Sequence, residues 1–252
     1  MVVPDTLFTG KNCIHFEEIN STNIFAADLI SKTSPAEGTC IITDFQTAGR
    51  GQIGSYWHSS AGKNLLISYI FYPHTLKVKD QFLLNVISGL AVYDVVSFYV
   101  HDVKVKWPND IYVNNQKIAG ILVQNTLRSN TIKSTIIGIG LNVNEKDFPQ
   151  ELPNPTSIAN EKDNDISISD IFCRLCSRLE FYYLKLRSGK YDELLMNYHE
   201  KLYRKGILST FQDKENHIFK GIIEGVATDG KLILTTEDRI GKTYAFREIK
   251  FI

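Results

Sequence analysis

Three closely spaced glycines surround one arginine between Gly49 and Gly54, and Trp57 follows them. Glycine lets the backbone adopt positive φ and approach a ligand closely, so that freed N–H groups can point at phosphate oxygens. Arg50 can bind a carboxylate or a phosphate through two parallel hydrogen bonds. This segment therefore predicts an anion-binding loop, and we expect the function to involve a phosphate.

The flanking sequence excludes two large families that share this glycine pattern. Residues 65–72 are apolar, β-branched and aromatic, which predicts a buried strand where a dinucleotide-binding fold requires a helix. A protein kinase requires His-Arg-Asp and Asp-Phe-Gly, whereas Asp44-Phe45 is followed by Gln46. On the pattern alone, a flexible hairpin loop stays open as the simpler interpretation.

A second group of polar residues comes at Lys106-Trp107-Pro108-Asn109-Asp110, before Lys117. Pro108 favours an extended conformation at the preceding residue, so a sharp bend is expected between two short strands. Lys117 begins an otherwise aliphatic strand, where a positive charge is costly unless an anion meets it. A solvated hairpin with a snorkelling lysine is the alternative.

Taken together, these segments resemble the catalytic domain of the biotin protein ligases. The motifs occur in the order and spacing of that family: Ser21-Thr22-Asn23, residues 46–51 with Trp57, Ser59-x-x-Gly62-x-Asn64-Leu65, residues 106–110, residues 117–123, and residues 138–144. The combination is specific, although no single segment is.

The resemblance implies a reaction in two steps. Biotin and ATP, the latter with Mg²⁺, give biotinyl-5′-AMP and pyrophosphate. A lysine of a biotin carboxyl carrier protein or domain then attacks the activated carbonyl and releases AMP. Arg50 and Lys117 would screen the repulsion between the biotin carboxylate and the α-phosphate, and Asp110 would orient or deprotonate the carrier lysine.

The resemblance also assigns the binding residues. For biotin these are Ser21, Thr22, Asn23, Gln46, Gly49, Arg50, Lys117 and Gly120. For the nucleotide they are Arg50, Gly51, Gln52, Trp57, Asn109 and Asn142. Ser21 is also placed to cap the helix that follows it, and the two roles are compatible. We predict no protein-bound metal.

The sequence departs from a common family pattern at Gln52, where many members have a second arginine. A neutral amide removes one electrostatic contact to an anionic intermediate, which bears on adenylate retention and on dimer contacts of this loop. A homodimer stays an open expectation.

Composition indicates an ordinary globular protein. The 252 residues are 43% hydrophobic, and 28 basic residues balance 28 acidic ones. Without a basic field, nucleic-acid binding is not expected, and only 20 residues precede Ser21, too few for the winged helix-turn-helix of some family members. The start of the chain lacks signal-peptide features, so we expect a cytoplasmic protein without membrane association.

The cysteines favour core packing over metal binding. Cys173 and Cys176 fall in a helical stretch with apolar periodicity, whereas Cys13 and Cys40 stand alone, so a zinc site lacks its further ligands. The six histidines show no paired spacing.

The fold class expected is α+β, a mixed β-sheet packed with helices, as the resemblance to biotin and lipoate ligases implies. Strands are predicted near 13–16, 40–45, 65–72, 103–106, 111–113, 117–124 and 132–139. Helices are predicted at 22–31, 81–98, 169–187 and 191–204, and residues 145–165 form a surface connection.

Short β segments follow Lys205, at 221–226, 231–234 and 246–252, which predicts a small barrel. The resemblance places an SH3-like C-terminal domain here. We therefore predict a catalytic domain at 1–204 and a C-terminal domain at 205–252.

Two rival functions are distinguishable. A lipoate-type acyl ligase on the same fold would share the activating lysine but should lack the linked motifs at 49–57 and 106–110. A catalytically silent biotin sensor would not need Arg50, Asp110 and Lys117.

Overall fold

The computed structural model describes residues 2–51 and 56–252, which form two β-sheets and five α-helices within these ranges. The larger sheet has seven strands in the order β1-β2-β3-β7-β6-β5-β4, with β1 and β2 parallel and the other neighbours antiparallel. Its strands are β1 (Cys13–Ile19), β2 (Cys40–Gln46), β3 (Leu65–Phe71), β4 (Val103–Lys106), β5 (Asp110–Val113), β6 (Gln116–Arg128) and β7 (Thr131–Leu141).

Helices cover the two faces of this sheet unequally. They are α1 (Thr22–Lys32), α2 (Leu83–Tyr99), α3 (Ile158–Lys162), α4 (Ile168–Arg187) and α5 (Tyr191–Glu200). Helices α2 and α4 pack together over one face, where alternate residues of β3 such as Ile67 and Tyr69 enter the main core. Helix α1 covers part of the other face.

The face under α1 changes character along the strands. At one end Ile70 and Ile136 pack with Ala26 in a small apolar cluster. At the other end the same face carries Ser68 and Gly138, which are paired across β3 and β7. Since strand residues alternate between faces, one sheet can build an apolar core on one side and an open polar floor on the other.

The C-terminal residues form a five-stranded antiparallel sheet in the order β11-β10-β9-β8-β12. Its strands are β8 (Leu208–Asp213), β9 (Ile218–Val226), β10 (Leu232–Thr236), β11 (Gly241–Tyr244) and β12 (Ile249–Phe251). This sheet corresponds to the small C-terminal β unit predicted, with β11 and β12 at its edges.

The C-terminal sheet contacts the rest of the chain through hydrogen bonds. The indole of Trp107 donates to the Gly230 carbonyl at 2.9 Å, and His199 Nε2 lies 2.9 Å from the carbonyl oxygen of Val226. The boundary between 204 and 205 stays a prediction.

The predicted elements of the first 204 residues are all present, most of them longer than predicted. The main correction concerns residues 145–165, predicted as a surface connection: they contain α3, and Thr156, Ser157 and Ile158 are buried. Polar composition misled here because the chain folds back against β6, where Lys117 N donates to the Asn154 carbonyl and Thr156 N donates to that of Lys117.

One helical stretch, 78–99, is long and apolar enough to cross a bilayer. Its α2 portion is apolar because it packs in the core, where Val86, Leu90 and Val96 are inaccessible to solvent. Length and composition alone are therefore weak grounds for a membrane span.

Candidate active site

Two neighbouring cavities open at the ends of β6 and β7. The first has a volume of about 170 Å³ and the second about 200 Å³, and Tyr56, Trp57 and Lys117 line both. Most of the residues predicted for the site line the first cavity: Ser21, Thr22, Asn23, Gln46, Arg50, Gly51, Trp57, Asn109, Asp110, Lys117 and Gly120. Asn142 lines the second.

Glycines form the floor of the first cavity. Gly120 and Gly140 are paired across β6 and β7, and Gly138 lies two residues away on the same face. A Cβ at Gly140 would lie 2.4 Å from Cε2 of Trp57, and one at Gly120 would lie 2.8 Å from Cζ3. Only glycine lets the indole approach the sheet this closely, so these glycines position Trp57 between the two cavities.

A hydrogen-bonded polar wall is built from the start of α1 and the strands beneath it. The Thr22 N–H donates to Gln46 Oε1 at 2.9 Å. The Ser68 hydroxyl lies 2.7 Å from that of Thr22 and donates to Asn23 Oδ1 at 2.6 Å. These bonds fix the side chains of Asn23 and Gln46 before any ligand binds.

Ser21 differs from this wall because its hydroxyl is left available. It occupies the N-cap position of α1 with extended backbone, as predicted, but its side chain makes no capping hydrogen bond. The expected capping role is thus wrong for the hydroxyl. The residue is 2% exposed and lines the first cavity. A buried hydroxyl facing a cavity is suited to a ligand's polar atom.

Lys117 and Asp110 form an ion pair across β5 and β6, with Nζ 2.8 Å from Oδ1. The side chains are 31% and 21% exposed, so both are partly withdrawn from water. The Lys117 ammonium also lies 5.7 Å from the centre of the Trp57 ring. The predicted bend between β4 and β5 is confirmed, and the pairing of β5 with β6 brings Asp110 to the lysine.

The backbone around Lys117 is held on both sides. Residues 154–156 pair with it through hydrogen bonds of 2.7 and 2.9 Å, and Pro155 lines the second cavity beside Phe148 and Leu152. Backbone hydrogen bonds therefore join the start of β6 to this wall of the second cavity.

Asn142 is 4% exposed. It lines the second cavity and also contacts the neighbouring segment around residue 156. Its Nδ2 donates to the Thr156 carbonyl at 2.9 Å. Its Oδ1 is buried and has no hydrogen-bond partner among the residues that the structure describes. A buried acceptor without a partner costs free energy, which a donor on a ligand would restore.

The arginine loop is described at its two ends. Arg50 is exposed and forms an antiparallel bridge with Tyr56, while Trp57 N donates to the Gly49 carbonyl at 3.1 Å. Gly49, predicted to bind biotin, accepts this hydrogen bond at the base of the loop and does not line either cavity. Gln52 lies outside the described residues.

Asn109 lines the first cavity, but its amide is engaged in the fold. It is 8% exposed, and its Nδ2 donates to the Ile121 carbonyl at 2.7 Å. The side chain therefore secures the β4–β5 bend against β6, whatever it contacts in a ligand.

A buried carboxylate anchors the segment that follows Trp57. Glu145, 5% exposed, accepts hydrogen bonds from the Ser60 N–H and hydroxyl and from Asn64 Nδ2. Asn64 Oδ1 in turn accepts from Val143 N. The Ser59–Asn64 motif thus connects the tryptophan loop to the end of β7.

Sequence reasoning missed several lining residues. Gly138 and Gly140 belong to a motif that was recognised, and their spacing of two on one strand face could have identified them as a floor. Phe148, Leu152, Pro153 and Pro155 gave no such signal, because they lie in the irregular segment predicted to be a surface connection.

The candidate site thus consists of two neighbouring cavities that share Tyr56, Trp57 and Lys117. Residues 15–142 match the model of the Biotin/lipoate A/B protein ligase family. The chain belongs to this family.

Individual relatives agree with this assignment. The bifunctional ligase/repressor BirA of Bacillus spizizenii is 30% identical over 240 residues, which is 94% of this chain and 73% of that protein. A biotin–[acetyl-CoA-carboxylase] ligase of Mycobacterium tuberculosis is 27% identical over 91% of this chain and 86% of its own length. Among solved structures, the biotin protein ligase of Aquifex aeolicus in complex with biotin and ATP shares the fold, with a TM-score of 0.78 and 23% identity over 96% of this chain and 99% of that one.

Proposed function

We propose that the chain is a biotin protein ligase that joins biotin to a carrier lysine in two ATP-dependent steps. Biotin and ATP give biotinyl-5′-AMP and pyrophosphate. The carrier amine then attacks the acyl carbonyl, and AMP leaves. The observation that carries this proposal is the position of Lys117, which lines both cavities at the point where they meet.

The first cavity suits biotin. Its polar wall of Thr22, Asn23 and Gln46 and the free hydroxyl of Ser21 offer donors and acceptors to a ureido ring. Trp57, which lies on the glycine floor, offers an apolar surface to the bicyclic body of biotin. Small-molecule sites commonly combine a few fixed polar groups with such apolar surface.

The second cavity suits the adenosine part of ATP. Trp57 and Phe148 provide aromatic surface for a base, and Asn142 is a polar residue in the lining of the same cavity. A ligand that spans both cavities must pass Lys117, which places its acid anhydride bond beside that ammonium.

Charge screening is the main requirement of the first step. The biotin carboxylate must attack the α-phosphorus although both groups are anionic. Lys117 and Arg50 lower this repulsion and stabilise the charge that develops on the phosphoryl oxygens. Trp57 covers the junction and limits the access of water to the reactive mixed anhydride.

The second step needs a neutral amine at the carrier lysine. Asp110 is placed to accept its proton or to orient it, because it lies at the same junction and is partly withdrawn from water. The pair with Lys117 fixes the position of the carboxylate until the carrier arrives.

The remaining parts of the proposal follow from this chemistry. ATP binds as its Mg²⁺ complex, so that the triphosphate itself brings the ion. Asp110, the carboxylate at the junction, is already paired with Lys117 and is not needed as a metal ligand. The acceptor is a biotin carboxyl carrier protein or domain, and the reaction takes place in the cytoplasm. The proposal includes no nucleic-acid or membrane partner, and it leaves a homodimer as a prediction.

Pyrophosphate release from ATP tests the function directly. We expect release that depends on biotin, that lipoate does not support, and that is followed by biotin transfer to a carrier domain. Release with lipoate instead of biotin would favour the lipoate-type ligase. Biotin binding without pyrophosphate release would favour the sensor.

A further inference from the structure

Lys106 lies at the contact between the catalytic sheet and the C-terminal sheet. Its ammonium donates to the Tyr112 hydroxyl at 2.9 Å and lies 4.3 Å from the centre of that ring. On another side it lies 5.1 Å from the ring of Phe251, which belongs to β12 of the C-terminal sheet. Tyr203 closes the enclosure at 6.0 Å. Three aromatic rings from different parts of the chain thus surround one cation.

The enclosure withdraws the ammonium from water, and none of the residues that the structure describes forms a direct ion pair with it. Burial lowers the pKa of Lys106, and the Asp110 carboxylate opposes this shift. Lys117 and Arg204 are the other charged groups near it, and both disfavour its charge. The faces of aromatic rings attract a cation most when water is excluded, so the enclosure compensates part of the lost hydration.

Lys106 is also the cross-strand partner of Asp110, since the two residues close the β4–β5 hairpin. Asp110 in turn forms the ion pair with Lys117 at the junction of the two cavities. Because an electrostatic interaction acts on both partners, the cation that is stabilised by Asp110 also stabilises the carboxylate. A continuous row of charges therefore runs from the C-terminal contact to the reacting centre.

We propose that Lys106 is a positioning residue for the ligase reaction, and that the C-terminal sheet acts on the active site through it. Phe251, Tyr203 and Tyr112 hold the ammonium in one place, its charge holds the Asp110 carboxylate, and Asp110 holds Lys117 between the cavities. Lys106 itself does not line either cavity, so it acts through Asp110 and has no direct contact with the substrates. This inference rests on the proposed function.

Charge and packing at Lys106 can be separated by substitution. Lys106→Met keeps an unbranched chain of similar length in the aromatic enclosure but removes the charge, whereas Lys106→Arg keeps the charge. We expect kcat for biotin transfer to a carrier domain to fall about tenfold in Lys106→Met, with KM for biotin and for carrier changed less than twofold. Lys106→Arg should recover most of the rate. A merely structural role would lower stability without this division between kcat and KM.

The link to the C-terminal sheet is tested with Phe251→Ala and the matched control Phe251→Leu. We expect kcat to fall about threefold in the alanine variant and to change little in the leucine variant. The double variant Lys106→Met, Phe251→Ala should be no slower than Lys106→Met alone, because both changes break the same link.

The outcomes distinguish a failure of the proposed ligase function from a failure of the proposed role of Lys106. An unmodified chain that transfers no biotin would overturn the proposed function and this inference with it. With an active unmodified chain, full kcat in Lys106→Met, or an arginine variant as slow as the methionine variant, would overturn the role of Lys106. Independent losses from Lys106 and Phe251 would overturn the link between the sheets. Should Lys106→Met fail to fold, the pair of Phe251 variants still decides that link.

Discussion

The indole of Trp57 lies directly over Gly140, so closely that a Cβ at that position would come within 2.4 Å of Cε2. Trp57 can therefore occupy this position only because residue 140 is glycine. The strand glycine sets the height of the tryptophan, and the tryptophan separates the two cavities at Lys117.

Gly140→Ala should displace Trp57 and weaken nucleotide binding. The added methyl group cannot be accommodated without a shift of the ring, and overpacking of this kind costs about 1–3 kcal/mol. We expect KM for ATP to rise about tenfold, measured by pyrophosphate release. Gly241→Ala is the matched control, because nothing lies within 4 Å of a Cβ built there. An unchanged KM for ATP in Gly140→Ala would contradict this role of the glycine.

Ser21→Ala should weaken biotin binding and leave the stability of α1 nearly unchanged. The hydroxyl makes no capping bond, so its loss removes one ligand contact of about 1 kcal/mol, which corresponds to roughly a fivefold weaker affinity for biotin. Calorimetric titration measures the affinity, and thermal unfolding measures the stability.

Ser167→Ala provides the opposite comparison. Its hydroxyl accepts a capping bond from Asp170 N at 3.3 Å. We expect this variant to lose about 1 kcal/mol of stability with unchanged biotin affinity. A loss of helix stability in Ser21→Ala, with biotin binding intact, would reverse our assignment.

Glu145→Gln should loosen the segment between Trp57 and β3. The carboxylate accepts three hydrogen bonds through its two oxygens, whereas an amide offers one acceptor oxygen and lacks the charge that strengthens these bonds. We expect a loss of about 2 kcal/mol in the free energy of unfolding. Denaturant unfolding measures it, with the exposed Glu151→Gln as control, and equal stability of the two variants would argue against the anchor.

His199 should make the stability depend on pH. Burial lowers the pKa of its imidazole, and the hydrogen bond with the Val226 backbone opposes only part of this shift. The unfolded chain therefore binds a proton more readily than the folded one, so stability is complete above pH of about 6.5 and falls as the pH drops below it.

The His199 contribution is isolated by comparison with His199→Ala. We expect the variant to be less stable than the unmodified chain by about 1 kcal/mol at pH 8 and by less at pH 5.5. Denaturant unfolding at both pH values measures the difference, with the exposed His101→Ala as control. A difference that stays constant between the two pH values would exclude this histidine as the source.

Much of the fold was predictable because the periodicity of the strands and helices is strong. Residues 65–71 form the buried strand β3 as expected, and the bend at Pro108 brings Asp110 back toward β6. The motifs also predicted that Lys117, Trp57 and Ser21 share a site, and all three residues line the first cavity. Their roles stay predictions.

The parts that escaped prediction depend on contacts between distant segments. Pro155 and Thr156 lie beside Lys117 through backbone hydrogen bonds, which leave no trace in side-chain periodicity. Similarly, the aromatic enclosure of Lys106 draws on Phe251, some 145 residues further along the chain, and no local pattern indicates it. For Ser21 a local pattern was present but misleading. The sequence predicts a helix-capping hydroxyl, whereas the side chain lines the first cavity and makes no capping hydrogen bond.

The most direct test of the account is biotin-dependent pyrophosphate release from ATP by Lys117→Ala, with Lys104→Ala on the exposed face of β4 as control. The account predicts that the rate falls at least about a hundredfold in Lys117→Ala, while the fold is retained and Lys104→Ala keeps full activity. A Lys117→Ala variant that releases pyrophosphate within a few-fold of the unmodified rate would contradict the central role of Lys117.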